Sequence, residues 1–571
     1  MTDRHGDRVD CLAGDDGLPV ELRHSGGYRV GVDTVRTAAG PRIEALRLLD
    51  GTHHGLGTTV VAYDYDIRGR LTEITGSSGV PLVHSYDSRD RLSSWTDRNG
   101  FWYRYEYDTD GRVCRAHGSE DVLTATFAYD PRQRITTVTD SLGHARQYHY
   151  DRYHHITRTV DAVGNTIHTE YDRYGRLLSR TDELGHTTRH TLDGNGDPLR
   201  VDRPDGTSET ASNNELRLPT EIVGADGHVW RYTYDAHGSL LSAVDPLGAT
   251  TTYGYDERGR LATVTDPLGA VRRYETDRAG LPVAVIDPLG AVTRVTRDAF
   301  GRVVTVTDPL GGVTRLGWTV EGKPAWRVGA DGAREEWQCD AAGNLARHVG
   351  PGGEAVTYVY GPFGRVTART DADGTRYDFT YDQELRLIGV RNPQGQVCRY
   401  TYDPAGHLVS ESDFNGSTLT YRNDPAGRPI ERTNGCGQTV RLTRDTEGRV
   451  NLREADGTTP AAFRYDALGR LLEASADSTV IFSRDAVGRI LTETVDGRSL
   501  AHQYDAAGRR LRRTTPTGAT SEWTYDANGR PATLATPGGG LSFGRDLGGG
   551  RRPGTWAGAL RSPRAGTRPT G

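Results

Sequence analysis

Residues 245–269 read DPLGATTTYGYDERGRLATVTDPLG, and this stretch decides the fold. It opens on Asp245, Pro246, Leu247 and Gly248 and closes on the same quartet, Asp266, Pro267, Leu268 and Gly269. An Asp that bonds the backbone ahead of it, a Pro that fixes φ and a Gly that ends the bend make the residue order of a type I turn. A second corner, Asp256 to Gly259, lies half-way between them. The connecting segments, Thr250 to Tyr255 and Arg260 to Thr265, have the length and the Thr, Val and Tyr content of strands, so the unit predicts two strands. Tyr253 and Tyr255 fall on one face of the first strand and Thr252 on the other. In the second, Leu261 and Val264 stand three apart, which predicts a bulge or burial on both faces.

Outward from this stretch the unit recurs. Counting from Asp66, an Asp returns in 21 of 24 positions as far as Asp546, and 19 of the 23 intervals are 21 residues long, so one unit has been copied along most of the chain. Gly closes the corner in 19 of the 24 copies; Asp90 and His154 tolerate the positive φ that Gly supplies there, while Gln133, Arg217 and Leu385 do not fit that account. About 24 strand pairs at ~4.8 Å per strand make a ribbon ~230 Å long and ~23 Å wide. A flat ribbon of that length would expose a long edge, so it is expected to coil into a spiral whose turns pair or pack, enclosing a small space.

Composition narrows the function. The net charge of −6 gives no basic face for nucleic acid. Acidic and basic residues from Asp3 to Asp16 stand where an export signal would need an apolar core, and no apolar run is long enough to span a membrane. Cys11, Cys114, Cys339, Cys398 and Cys436 are odd in number and widely spaced, which argues against a disulfide framework or a zinc site. The runs Asp108, Asp110, Gly111 and Asp193, Asn195, Asp197 resemble the start of a calcium loop, but the twelfth position of the latter is Pro204, so turns are the better reading. His144, His149, His154 and His155 fall in different strands and turns. No Ser or Cys has the setting of a nucleophile, and an Asp in every turn singles out no acid–base pair. Tyr precedes the corner Asp in 14 of 24 copies at one fixed phase, which suits a cross-strand ladder better than a row of sugar-stacking rings.

The repeated Tyr-Asp-x-x-Gly-Arg-Leu, as in Tyr65 to Leu71, Tyr171 to Leu177, Tyr255 to Leu261 and Tyr465 to Leu471, followed by Thr-Asp-Pro-Leu-Gly, resembles the RHS or YD-repeat proteins over residues 60–545. The resemblance implies a hollow β-shell, which in bacterial polymorphic toxins and insecticidal toxin complexes holds a C-terminal toxin domain until delivery, and in animal teneurins serves adhesion. The shell-closing Arg-Tyr-Tyr-Asp-Pro-like segment and aspartyl self-cleavage centre of bacterial members have no counterpart here, and residues 548–571 turn to Gly, Arg, Pro, Ala and Thr.

The expectation is therefore an all-β, repetitive antiparallel meander coiled into a spiral, hollow, incomplete shell. Residues 1–60 form a degenerate-strand lead-in, 61–547 the YD-repeat shell, and 548–571 a disordered or out-of-frame tail. The function expected is non-enzymatic encapsulation and delivery of a C-terminal toxin, in a truncated copy that lacks the toxin; the alternative is a surface adhesion or carbohydrate-binding protein. No cofactor, metal, nucleic acid or membrane span is expected. The partners implied are a toxin cargo, secretion machinery and, in the alternative, cell-surface glycans, with the chain cytoplasmic until a dedicated system exports it. The residues expected to carry the architecture are the corners and ladders Tyr65, Asp66, Gly69; Tyr171, Asp172, Gly175; Tyr234, Asp235, Gly238; Asp245, Pro246, Gly248; Tyr255, Asp256, Gly259; Asp266, Pro267, Gly269; Tyr402, Asp403, Gly406; and Tyr465, Asp466, Gly469.

Overall fold

The computed structural model describes residues 1–2, 6–49, 57–548, 550 and 556–557. Its 52 strands form one antiparallel sheet in which each strand pairs with the next in sequence. The quoted unit gives strands Thr250–Tyr255 and Leu261–Thr265. Tyr253 pairs with Val264 and Gly254 with Thr263, yet Tyr255 pairs with Leu261, so Ala262 is the extra residue of a bulge. The three-residue spacing of Leu261 and Val264 is that bulge. The same register shift recurs in other copies, at Glu170/Tyr171, Thr233/Tyr234, Thr401/Tyr402 and Arg464/Tyr465. Among the described residues there is no α-helix, only one-turn 3-10 segments at Ser119–Asp121 and Pro362–Gly364.

The lead-in contributes four strands to the same sheet: Val9–Ala13, Pro19–His24, Arg29–Thr37 and Gly40–Leu48. Most of the expected tail, 549 and 551–555 and 558–571, lies outside the described residues.

Contacts between residues about 240 apart show how the ribbon coils. Several loops that follow a second strand, such as 224–227, sit on a corner of the Tyr-Asp type one coil later, such as 466–469. Arg470 reaches Asp226 at 3.1 Å and Arg449 reaches Asp205 at 3.4 Å. Asn528 donates to Asp287 at 2.5 Å, Asp340 accepts from Asn99 at 2.9 Å, and Glu321 accepts from the Ser77 N–H at 2.8 Å. The two irregular turns also meet: Phe363 packs on Trp95 and Tyr103, and its ring lies so close to Gly118 that a Cβ there would stand 2.8 Å away. Successive coils thus touch edge to edge through loops, with no strand pairing between coils among the described residues.

Between the loops at Asp226 and Asp466 lie 23 strands, Val229–Tyr234 through Ala461–Tyr465. At ~4.8 Å per strand, one coil measures ~110 Å around and ~18 Å in radius, leaving a bore of ~13 Å radius once half the sheet thickness is removed. The surface agrees with a wall one sheet thick. The accessible area is 32973 Å², against about 20,000 Å² for a compact chain of this mass. Such a wall has two faces, and among the described residues no large side chain is fully buried.

Candidate functional site: the repeat corner and the seam

Every corner expected to matter has one construction. Asp256 Oδ1 accepts the N–H groups of Arg258 and Arg260 at 2.9 Å each. The Gly259 N–H donates to the Asp256 carbonyl at 2.9 Å and the Asp256 N–H to the Arg260 carbonyl at 2.8 Å, closing a hairpin loop whose third residue needs positive φ. Asp66, Asp172, Asp235, Asp245, Asp266 and Asp466 each accept the same two N–H groups, and Asp403 accepts that of His407. Gly69, Gly175, Gly238, Gly248, Gly259, Gly269, Gly406 and Gly469 all have φ between 72° and 95°. Pro246 and Pro267 fill the second turn position, where no N–H is asked for.

The fold imposes this conformation even where the residue resists it. Arg217 and Leu385, which the composition argument left unexplained, take φ of 65° and 56°. In the copy with Gln133 the left-handed residue is instead Arg134, because the preceding strand runs on to Asp130 and pairs it with Ile135.

The tyrosine before Asp hydrogen-bonds backward across the sheet. Tyr234, Tyr255, Tyr402 and Tyr465 donate their phenols to the carbonyls of Pro219, Leu240, Leu387 and Val450 at 2.7 to 3.0 Å, and Tyr65 to that of Ile43. Tyr171 and Tyr150 depart from this: Thr169 donates to the Ile156 carbonyl while the Tyr171 ring lies 5.2 Å from that of His155, and the Tyr150 ring stacks on His154 at 5.5 Å. In several copies without tyrosine another donor reaches the equivalent carbonyl: Trp318 to Val303, Asn423 to Leu408, Arg444 to Pro429 and Arg297 to Pro282. The slot favours a side chain with a terminal donor, although Leu192, Thr276 and Cys339 also occupy it.

Sequence reasoning missed the residue four after Asp. Its signal was present, since 15 of the 24 copies have Arg there. Arg470 binds Asp466 Oδ2 through Nε at 2.5 Å and Asp226 across the seam through Nη2. Arg449 does the same with Asp445 and Asp205, and also lies 5.4 Å from the centre of the Tyr465 ring. Arg386 stacks on Tyr402 at 4.9 Å. One guanidinium therefore ties its own corner, the next tyrosine and the neighbouring coil together.

The corner carboxylates set the response to acid. Hydrogen bonds from the Arg70 side chain and backbone hold Asp66 below the ordinary carboxylate range, and the Arg91, Arg112 and Ser239 backbone N–H groups lead in doing so for Asp87, Asp108 and Asp235. A carboxylate with a lower pKa folded than unfolded adds stability above its unfolded value, near ~3.9, and loses it as pH falls through the folded value. The melting temperature is expected to be level from about pH 7 to about pH 5 and to fall steeply below about pH 4. Equal melting at about pH 7 and about pH 3, in a scan at constant ionic strength, would contradict this account of the corners.

Among the described residues no group of three or more His, Cys, Asp or Glu is placed to hold a metal. No helix among them is long and apolar enough to cross a membrane.

Comparison with known proteins gives three findings. The family model described as RHS Repeat matches residues 217–249, 234–271, 277–313, 340–376, 381–418, 484–520 and 504–541, and that described as Teneurin YD-shell matches 57–193. No curated protein matches. Of the solved structures, TcdB2-TccC3 aligns with a TM-score of 0.55 at 12% identity over 94% of this chain and 46% of that one. TcdB2-TccC3-TEV aligns at 0.54 with 14% identity over 91% and 36%. The Photorhabdus luminescens Tc holotoxin pore aligns at 0.53 with 14% identity over 91% and 35%. At such identities the likeness is one of fold, and this chain spans less than half the length of each.

Proposed function

We propose, from the premise that this chain belongs to the RHS or YD-repeat family, that its coiled wall confines a toxic polypeptide and keeps it from contact with the cell that makes it. The role of the wall is structural. The single observation that supports the reading is the seam, where loops of one coil seat on the corners of the next and hold neighbouring coils edge to edge. In this reading the wall performs no reaction, and its partners are a cargo and an export apparatus.

Dimensions limit the cargo. A folded domain of 100 residues has a radius of gyration of ~13 Å and an outer radius of ~17 Å, wider than the bore, whereas one of about 50 residues fits. A longer cargo would be held unfolded or would need a wall extended beyond these coils.

The test is a fusion. A 40-residue protease-sensitive reporter is joined after Gly571, and its cleavage is timed against the same reporter joined to an unrelated carrier. Confinement predicts cleavage at least tenfold slower on this chain. Equal rates, or binding to a glycan array with no protection, would favour the adhesion reading instead.

A further inference from the structure

One stretch of the seam lacks its bridges. In the loops 203–206 and 224–227 the third residue is Asp205 or Asp226, and each meets an arginine of the coil above. In the next two loops that residue is Leu247 or Leu268, both about half exposed. The arginines above them, Arg489 and Arg509, keep their bonds to Asp485 and Asp505 at 2.6 Å each but receive no carboxylate across the seam among the described residues. One repeat further on, Asn528 and Asp287 close the seam again. A cavity of about 640 Å³ occupies the gap. It borders Arg489, Arg509 and a third guanidinium, Arg272, and its remaining wall includes Trp230, Tyr253 and Pro267. Asp245 and Asp266 also line it, with Oδ1 of each spent on its own loop.

We infer that this gap is a binding site for a carboxylate carried on an apolar or aromatic body. The reasoning is by equivalence within one molecule. Arg449 and Arg470 hold an aspartate of this chain at the position that Arg489 and Arg509 leave open. Arg489 and Arg509 are each paired with their own corner aspartate, as Arg449 and Arg470 are, so the attraction at the gap rests on the vacant cross-seam place beside these guanidinium groups and on Arg272, and not on a net positive charge. Arginine forks match carboxylates in shape, and the indole, phenol and proline surfaces accept an apolar body. The volume lies in the range of small-molecule sites. The carboxylate could belong to a free organic acid or to an acidic side chain of a peptide; the chemistry at the arginines is the same.

Isothermal titration of the full chain separates these sources, with 3-phenylpropionate as the small acid and the capped tripeptide Phe-Asp-Phe as the peptide. The controls are 3-phenylpropionamide and capped Phe-Asn-Phe. Each acid is expected to bind at least tenfold more tightly than its amide, and the tighter of the two acids identifies the source. Arg489→Met with Arg509→Met should weaken binding at least tenfold. Because those arginines also hold their own corners, the deciding variant is Leu247→Asp with Leu268→Asp, which restores the acidic residue of the neighbouring loops and leaves the corners intact. It should weaken binding at least tenfold by supplying an internal carboxylate. Failure of both acids to bind, equal binding of acids and amides, or undiminished binding by the Leu→Asp variant overturns the site.

Discussion

Replacing Asp205 and Asp226 together by arginine separates the coils. Both carboxylates are largely covered, with side-chain exposures of 16% and 11%. Burial pushes each upward in pKa, but the hydrogen bonds of Thr207 and His228 and the charges of Arg449 and Arg470 outweigh it, so both stay ionised. Reversal removes two covered ion pairs and sets four guanidinium groups against one another. Breaking a covered pair costs about 3–5 kcal/mol, and the partial solvent access here puts the double variant near the lower figure. The change should be visible as a larger radius of gyration in solution scattering and as new protease cuts in residues 203–228 and 445–470. Asp205→Asn with Asp226→Asn should show the same direction with about a third of the effect, because a neutral acceptor remains. Unchanged scattering and proteolysis for the arginine variant would mean that the seam does not hold the coils.

The second large effect concerns Tyr402. Its phenol donates to the Leu387 carbonyl at 2.8 Å and its ring carries the Arg386 guanidinium at 4.9 Å. Tyr402→Phe removes the hydrogen bond and leaves the ring, for a cost of about 1 kcal/mol. Tyr402→Ala removes both and opens a gap in the ladder, for about 3 kcal/mol. In a linear array each unit depends on its neighbours, so amide exchange should rise first in the strands Leu387–Arg391 and Val397–Tyr402 and remain near normal several repeats away. An exchange increase spread evenly over the chain would contradict this local picture. Asn423, which reaches its carbonyl without a ring, sets the benchmark for how little a donor alone can sustain.

Most of the local architecture was legible in the spacing of a few residue types. The strand Thr250–Tyr255 has the bounds that its composition implies, and the awkward spacing of Leu261 and Val264, which allowed a bulge or burial on both faces, is a bulge in the pairing. Those features are encoded within a few residues of one another. The 23-strand circuit is not, because nothing near Asp226 marks Arg470, 244 residues away, as its partner. That distance follows from sheet twist summed over many strands, each contributing a small angle. Arg217 and Leu385 were opaque for a different reason. Their conformation is dictated by the hairpin around them, which overrides the preference of the single residue. The arginine four after each corner Asp was visible as a recurrence but mute about its role until a second coil stood beside it.

Because coils meet loop on corner, what the seam counts is strands and not residues. The copies ending at Asp485 and Asp505 are 19 and 20 residues long, yet the loop at Asp287 still meets the corner at Asp526. Loss of a residue or two inside a hairpin is absorbed there. Duplication of one whole unit between Asp226 and Asp466 is another matter: it would slide every earlier loop past its partner by one place, bringing Asp226 beneath the corner of Arg449 and setting Leu247 where Asp226 had been. Tandem sequence of this kind is prone to gain and lose copies, and here the geometry acts as a ratchet gauge, lenient toward small slips within a tooth and strict about the number of teeth per revolution.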